Sequence, residues 1–133
     1  MEPYEATWKN AVVTERAGAR DPECLFCSIV AGDVPAEVVA RTEHTVAFRD
    51  INPQAPTHVL VVPTTHHPTA AALATAEPKV AAEVLASCQE VAEQEGYADA
   101  YRLVFNTGAE VGQSVFHAHA HVLAGRLLAW PPG

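Results

Sequence analysis

Three histidines alternate with small apolar residues in the segment Phe116-His117-Ala118-His119-Ala120-His121-Val122-Leu123. On an extended strand the side-chain period is two, so His117, His119 and His121 are expected on one face and Ala118, Ala120 and Val122 on the other. A row of imidazoles is not a core pattern, and a merely solvated face would use Thr, Lys and Glu. Two chemistries fit. The imidazoles could ligate a metal, since neutral histidine is the commonest metal ligand. Alternatively, one is a nucleophile or general base whose neighbours fix its tautomer. The upstream Gly112-Gln113-Ser114 favours the second, because free backbone N–H groups and a hydroxyl beside the imidazoles would bind an anion. Neither G-x-x-x-x-G-K-[ST] nor G-x-G-x-x-G occurs, which excludes two familiar glycine-rich phosphate loops.

A second group lies near the start of the regular pattern. Cys24 and Cys27 form a C-x-x-C pair, which in a reduced compartment reads as half a zinc site or as a redox pair. With Cys88 they make three cysteines, too few for a disulfide framework. Cys88 falls on an apolar helical stripe and is expected to be a buried, inert thiol.

The elements that must position these residues are legible from period and punctuation. Residues 25–31 place Phe26, Ile29 and Val30 beside Leu25 on one helical face, and Gly32 supplies a stop. Val38–Arg41 and Thr45–Asp50 read as strands joined at Glu43-His44, with His44 simply solvated in the turn. Pro53 and Pro56 make 51–56 a loop. Thr57–Pro63, nearly all apolar, is expected to be a central strand. Glu77–Glu95 carries the one long helical period, ended by Gly96. Tyr101–Asn106 and Val115–Leu123 are the last two strands, separated by a Gly-containing loop. This order of elements is an α+β plan.

Composition bounds the function. The chain has 133 residues, 49% hydrophobic and 18% charged, which suits one folded domain. Residues 1–23, polar and mixed with Trp8 as the one large apolar residue, are expected to be an N-terminal extension, and 24–133 the domain. No apolar run approaches the roughly 20 residues of a membrane-spanning helix, and the first residues show no signal-peptide pattern, so a cytoplasmic protein away from membranes is expected. Eight scattered Lys and Arg against 16 Asp and Glu give a net charge of −8. That balance speaks against nucleic acid as a partner.

The blocks Ala47–His58, Gln113–Leu123 and Trp130-Pro131-Pro132-Gly133, in that order, resemble the histidine triad family and its nucleotide-binding branch, over residues 24–133. The resemblance implies a small α+β fold, an antiparallel meander with one long and one short helix, and a homodimer that joins two sheets. It implies hydrolysis of purine nucleoside phosphoramidates, with an AMP-like nucleotide bound and no catalytic metal. His119 would attack the α-phosphate, His121 would contact the phosphate, and His58 would complete the relay. Ser114, with the backbone of Gly112 and Gln113, would hold phosphate oxygens, with Asn106 nearby. Asp50 would accept ribose hydroxyls, and Phe26, Phe48, Ile51 and Leu60 would form the slot for the base.

The same likeness implies structural Zn2+ on Cys24, Cys27, His66 and His117; His67, by its adjacency to His66, is the candidate substitute ligand. The rival readings are a dinucleoside polyphosphate hydrolase, a non-catalytic nucleotide-binding or interaction module, and a zinc protein that uses all three triad histidines as ligands. The Trp130–Gly133 block favours the phosphoramidase-like branch over the first of these.

Overall fold

A computed structural model describes residues 21–133. Only 21–23 of the expected extension lie within them, and Trp8 lies outside. Five strands form one antiparallel sheet: β1 (Val38–Arg41), β2 (Thr45–Arg49), β3 (Thr57–Pro63), β4 (Arg102–Val104) and β5 (Ala120–Ala124). Their spatial order is β1-β2-β3-β5-β4, so the meander runs through β3, and the last strand in sequence inserts between β3 and β4. Three helices accompany them: α1 (Leu25–Ala31), α2 (Ala70–Ala76) and α3 (Pro78–Gln94).

Each helix has a local cause. Cys24 caps α1 through its sulfur, which accepts the Cys27 N–H, and Gly32 at φ +85° closes the helix with its N–H on the Ile29 carbonyl. Within α1, Phe26, Cys27 and Ile29 are buried, while Leu25 is exposed at the mouth of a cavity. The short helix α2 is an addition to the expected single short helix. It begins at Thr69, whose Oγ1 accepts the Ala72 N–H, and it carries one large buried residue, Leu73. An Ala-rich segment with a single apolar anchor has no period to read, which is why the sequence did not reveal it. Glu77 ends α2 and precedes Pro78, the first residue of α3.

The pleat sorts residues into two cores. Ala47, Val59, Val61, Ala118, Ala120 and Val122 face α3, where Val80, Val84, Cys88 and Val91 meet them. Val46, Phe48, Leu60 and Val62 face α1 and pack on Phe26, Cys27 and Ile29. Hence β3 is buried on both sides, as its unbroken apolar run required. Cys88 is fully buried, and burial pushes its thiol up to about 12. At the sheet's end Arg49 makes a bidentate pair with Glu95 at 3.0 Å, and Thr57 donates to the same carboxylate, fastening β2 and β3 to the end of α3.

The final strand is shorter than expected. Its ladder with β3 runs from Thr57↔Ala124 to Val61↔Ala120, so residues 115–119 continue without a strand partner. Past Val61, β3 continues to Pro63 in its pairing with β2, while the Ala118 N–H is taken by the His67 carbonyl and the His117 ring by the Pro63 carbonyl.

Candidate active site

The unpaired stretch still keeps the alternation of a strand. Ala118 and Ala120 enter the α3-side core. On the α1 side His119 meets Phe26 edge-on at 5.0 Å between ring centroids, and His121 follows at 5.0 Å from His119. The three triad imidazoles share a face but do not converge on one point. His117 reaches the cysteines, His119 turns back onto its own main chain, and His121 pairs with His58. Among the described residues no cluster of potential ligands contains all three, so a metal held by the whole triad is not what the fold builds.

Hydrogen bonds fix the tautomers. His119 Nδ1 lies 2.7 Å from the His117 carbonyl oxygen. A carbonyl only accepts, so Nδ1 carries the proton and Nε2 keeps its lone pair. His58 Nδ1 accepts the Gln54 N–H at 3.0 Å, which puts the His58 proton on Nε2. That proton is donated to His121 Nδ1 at 2.9 Å, and neutral His121 therefore presents Nε2–H as a donor. Asp50 Oδ2 stands 3.4 Å from His58 Nε2, while Oδ1 accepts the Asn52 N–H.

Burial decides the protonation states. His119 is 8% exposed, and desolvation lowers its pKa from 6.5 to about 4. Desolvation also lowers His58 and His121, against the opposing pull of Asp50. At neutral pH His58, His119 and His121 are uncharged imidazoles, with a lone pair on His119 Nε2 and a proton on His121 Nε2.

Beside them opens a cavity of about 690 Å³ between α1, the start of β1 and the end of β2. Its lining includes Phe26, Phe48, Leu60, Ile51, Asp50 and Ser114, six of the residues expected to bind substrate, together with Val34, Pro35 and Val115, which sequence reasoning missed. Ile51 is almost wholly exposed at the rim. Ser114 is exposed. The backbone of Gly112 and Gln113 does not offer the free donors that were expected. Their N–H groups are bound to the carbonyls of Ala109 and Gly108 within a 3₁₀ turn at 109–111. The Gln113 side chain is buried too, accepting the Gly108 N–H and donating to the carbonyls of Pro68 and Val115. Asn106 stands over this turn, its Nδ2 3.7 Å from where a Cβ on Gly112 would lie. Gln54 escaped notice because it acts through its backbone N–H, which no residue type advertises.

On the other side of His117 lies the second constellation. Cys24, Cys27, His66 and His117 bring two sulfurs and two ring nitrogens within 4.8 Å of one another. His117 Nε2–H donates to the Pro63 carbonyl at 2.9 Å, which leaves Nδ1 free to ligate. That Nδ1 is 3.4 Å from Cys24 Sγ and 3.5 Å from Cys27 Sγ, and His66 Nδ1 is 3.4 Å from Cys27 Sγ. A tetrahedron with Zn–S of about 2.3 Å and Zn–N of about 2.0 Å has N···S edges of about 3.5 Å, so the residues fit zinc. The Asp21 N–H and the Cys27 N–H point at the two sulfurs, a pattern that stabilises thiolates. A hydrogen bond from Cys24 lowers the Cys27 thiol, and the same bond, with burial, raises that of Cys24. His66 is kept neutral by burial. His67 is not among these four; its ring points instead to Glu77. His44 is not merely solvated, since its Nδ1 bonds Glu83 at 2.8 Å.

Known proteins resemble this chain over most of its length. The HIT domain profile matches residues 31–128. A purine nucleoside phosphoramidase from Escherichia coli is 39% identical over 107 residues, covering 80% of this chain and 90% of that protein. A 14 kDa zinc-binding protein from Zea mays is 43% identical over 116 residues, covering 85% and 90%. Among solved structures, a HIT family hydrolase from Legionella pneumophila superposes with a TM-score of 0.80 at 44% identity, over 84% of this chain and all of that one. By its triad, its fold and these relatives, the chain belongs to the HIT domain family.

Proposed function

We propose that this protein hydrolyses purine nucleoside phosphoramidates or related nucleotidyl esters through a covalent nucleotidyl-histidine. The observation that carries the reading is the His119 tautomer. Its Nδ1–H is committed to the His117 carbonyl at 2.7 Å, so Nε2 is an unprotonated lone pair beside a nucleotide-sized cavity. The lone pair of Nε2 attacks the α-phosphorus, and the P–N bond breaks with its electrons going to the departing amine. A proton from His121 Nε2–H or the Ser114 hydroxyl neutralises that amine. In the adduct His119 is a cationic imidazolium, and its Nδ1–H bond to the carbonyl strengthens as that charge develops. Water then attacks phosphorus, its proton passes to the relay, and the Nε2–P bond breaks to release the monophosphate.

The cavity takes the nucleoside, its base between Phe26, Phe48, Leu60 and Ile51 and its ribose hydroxyls at Asp50. Zinc on Cys24, Cys27, His66 and His117 is structural in this reading: it clips α1 to the start of the triad segment and takes no part in the phosphoryl steps. That the Escherichia coli relative is a purine nucleoside phosphoramidase supports the substrate class, and that the Zea mays relative is a zinc-binding protein supports the metal. The reading also includes a homodimer, supported by a sheet whose edge strand β4 pairs, among the described residues, with β5 alone.

Mass spectrometry of protein quenched during turnover of adenosine 5′-phosphoramidate is expected to show an adenylyl adduct on His119. His119→Ala should bind nucleotide and release no AMP. Full turnover by that variant, or faster cleavage of a diadenosine polyphosphate than of the phosphoramidate, would overturn the assignment.

A further inference from the structure

His67 is buried, with 2% of its surface exposed, and belongs neither to the nucleophilic row nor to the four potential metal ligands. Its Nε2–H donates to Glu77 Oε2 at 2.6 Å, and Thr65 Oγ1 donates to the same oxygen at 2.6 Å. Glu77 is the junction residue of α2 and α3, so this node pins the 64–69 turn to the helical layer. A buried imidazole with a charge-assisted bond holds its own backbone far more tightly than an apolar side chain could.

That backbone faces the triad. The His67 carbonyl accepts the Ala118 N–H at 2.7 Å. Ala118 N and His117 C=O belong to one planar peptide group, whose plane resists rotation. The oxygen of this same group receives the His119 Nδ1–H at 2.7 Å. One rigid amide therefore links the His67 carbonyl on one side to the nucleophile on the other. Hydrogen bonding at its N–H also makes its oxygen a better acceptor, since chained bonds polarise each other. No ladder holds residues 115–119, because the β3–β5 pairing starts at Ala120. Their register rests on the Ala118 bond, on His117 Nε2–H to the Pro63 carbonyl and on Gln113 Nε2 to the Pro68 carbonyl.

We propose that the His67–Glu77 pair is a positioning device: by fixing the His67 carbonyl it aims the 117–118 peptide and so sets the tautomer and direction of His119. The catalytic half of this inference rests on the nucleophile assigned to His119 above; the mechanical half does not.

The test uses the full chain with zinc added, comparing His67→Leu, which removes the donor, His67→Gln, which keeps an N–H near the same place, and Glu77→Ala. Hydrogen exchange of the Ala118 amide is followed by NMR, with Val91 in α3 as the internal control, beside kcat, KM and bound zinc. His67→Leu and Glu77→Ala are expected to speed Ala118 exchange about tenfold with Val91 unchanged. Both should lower kcat about tenfold or more with KM within about twofold, as loss of an orienting partner does. His67→Gln should recover most of both losses, and the Leu/Ala double variant should be no worse than either single one. If His67→Leu does not fold, Glu77→Ala and His67→Gln carry the same comparison.

Unchanged Ala118 exchange in His67→Leu and Glu77→Ala overturns the proposal, as does a rate loss explained by lost zinc or equal impairment of the Gln and Leu variants. Loss of Ala118 protection in a chain that cleaves no phosphoramidate supports the mechanical coupling and refutes the proposed reaction.

Discussion

Lowering the pH tests the electrostatics of the site most directly. If His119 attacks as a neutral imidazole, kcat/KM must fall as Nε2 protonates, and the midpoint reports the pKa of that group in the free enzyme. An ordinary histidine at 6.5 would be about 3% neutral at pH 5, whereas one lowered by burial to about 4 is about 90% neutral. The two cases therefore differ about 30-fold in competent enzyme at a single pH. The cause is visible in the structure: His119 is buried against the Phe26 edge, and that desolvation outweighs the His117 carbonyl and Asp50, which favour an imidazolium. The assay is AMP release from adenosine 5′-phosphoramidate at limiting concentration between pH 4 and 8, with bound zinc measured at each point. We expect a plateau down to about pH 5 and an acid limb centred near 4. A limb centred near 6.5 with zinc still bound refutes the claim that desolvation keeps the nucleophile neutral.

Other consequences follow from the same geometry. Stability should decline as pH drops from 6.5 toward 4. His58, His66, His119 and His121 are all lowered by burial, so the unfolded chain takes up protons first, and His119 alone accounts for about 3 kcal/mol. His44, raised by its bond to Glu83, acts in the opposite sense, contributing below 6.5 and losing its effect above, and weakly because it is exposed. Denaturant titrations across that range, with zinc absent throughout, measure the net slope.

Zinc titration of the reduced chain should saturate at one ion per chain, and Cys27→Ser should abolish it. Chelation should lower Tm by several degrees, read by calorimetry, and a chain whose Tm is indifferent to chelator would remove the structural role. Gly125→Ala should destabilise by about 1–3 kcal/mol, because φ is +97° there and a Cβ would lie 2.8 Å from Pro56 Cβ. Thermal unfolding checks it.

How far residue types alone reach is clearest in α1 and the triad. The helix over 25–31 and the strands over 38–41 and 57–63 follow from apolar period and from glycine and proline punctuation, both local properties of the chain. The triad histidines and the C-x-x-C pair stand out by type, because their side chains are chemically distinctive, whereas Phe26, Phe48, Ile51 and Leu60 read by type as ordinary core and enter as slot candidates only through the family resemblance. What the chain could not disclose is whatever depends on main-chain atoms meeting at a distance. Gln54 serves His58 through an N–H, and His67 and Pro63 serve the triad through carbonyls; every residue carries such groups, so type gives no signal.

The same limit explains the misreadings. Gly112 and Gln113 looked like open donors until the 3₁₀ turn consumed their N–H groups, and the strand expected from Val115 starts at Ala120, since the Ala118 N–H bonds the His67 carbonyl in place of a ladder partner. The sequence determined which chemical groups are present and the face of the sheet they occupy, through the period of two. Only the tertiary structure decided which nitrogen of each imidazole holds the proton. That choice is made by partners up to 63 residues away in the chain, brought within hydrogen-bond reach by the packing of the sheet.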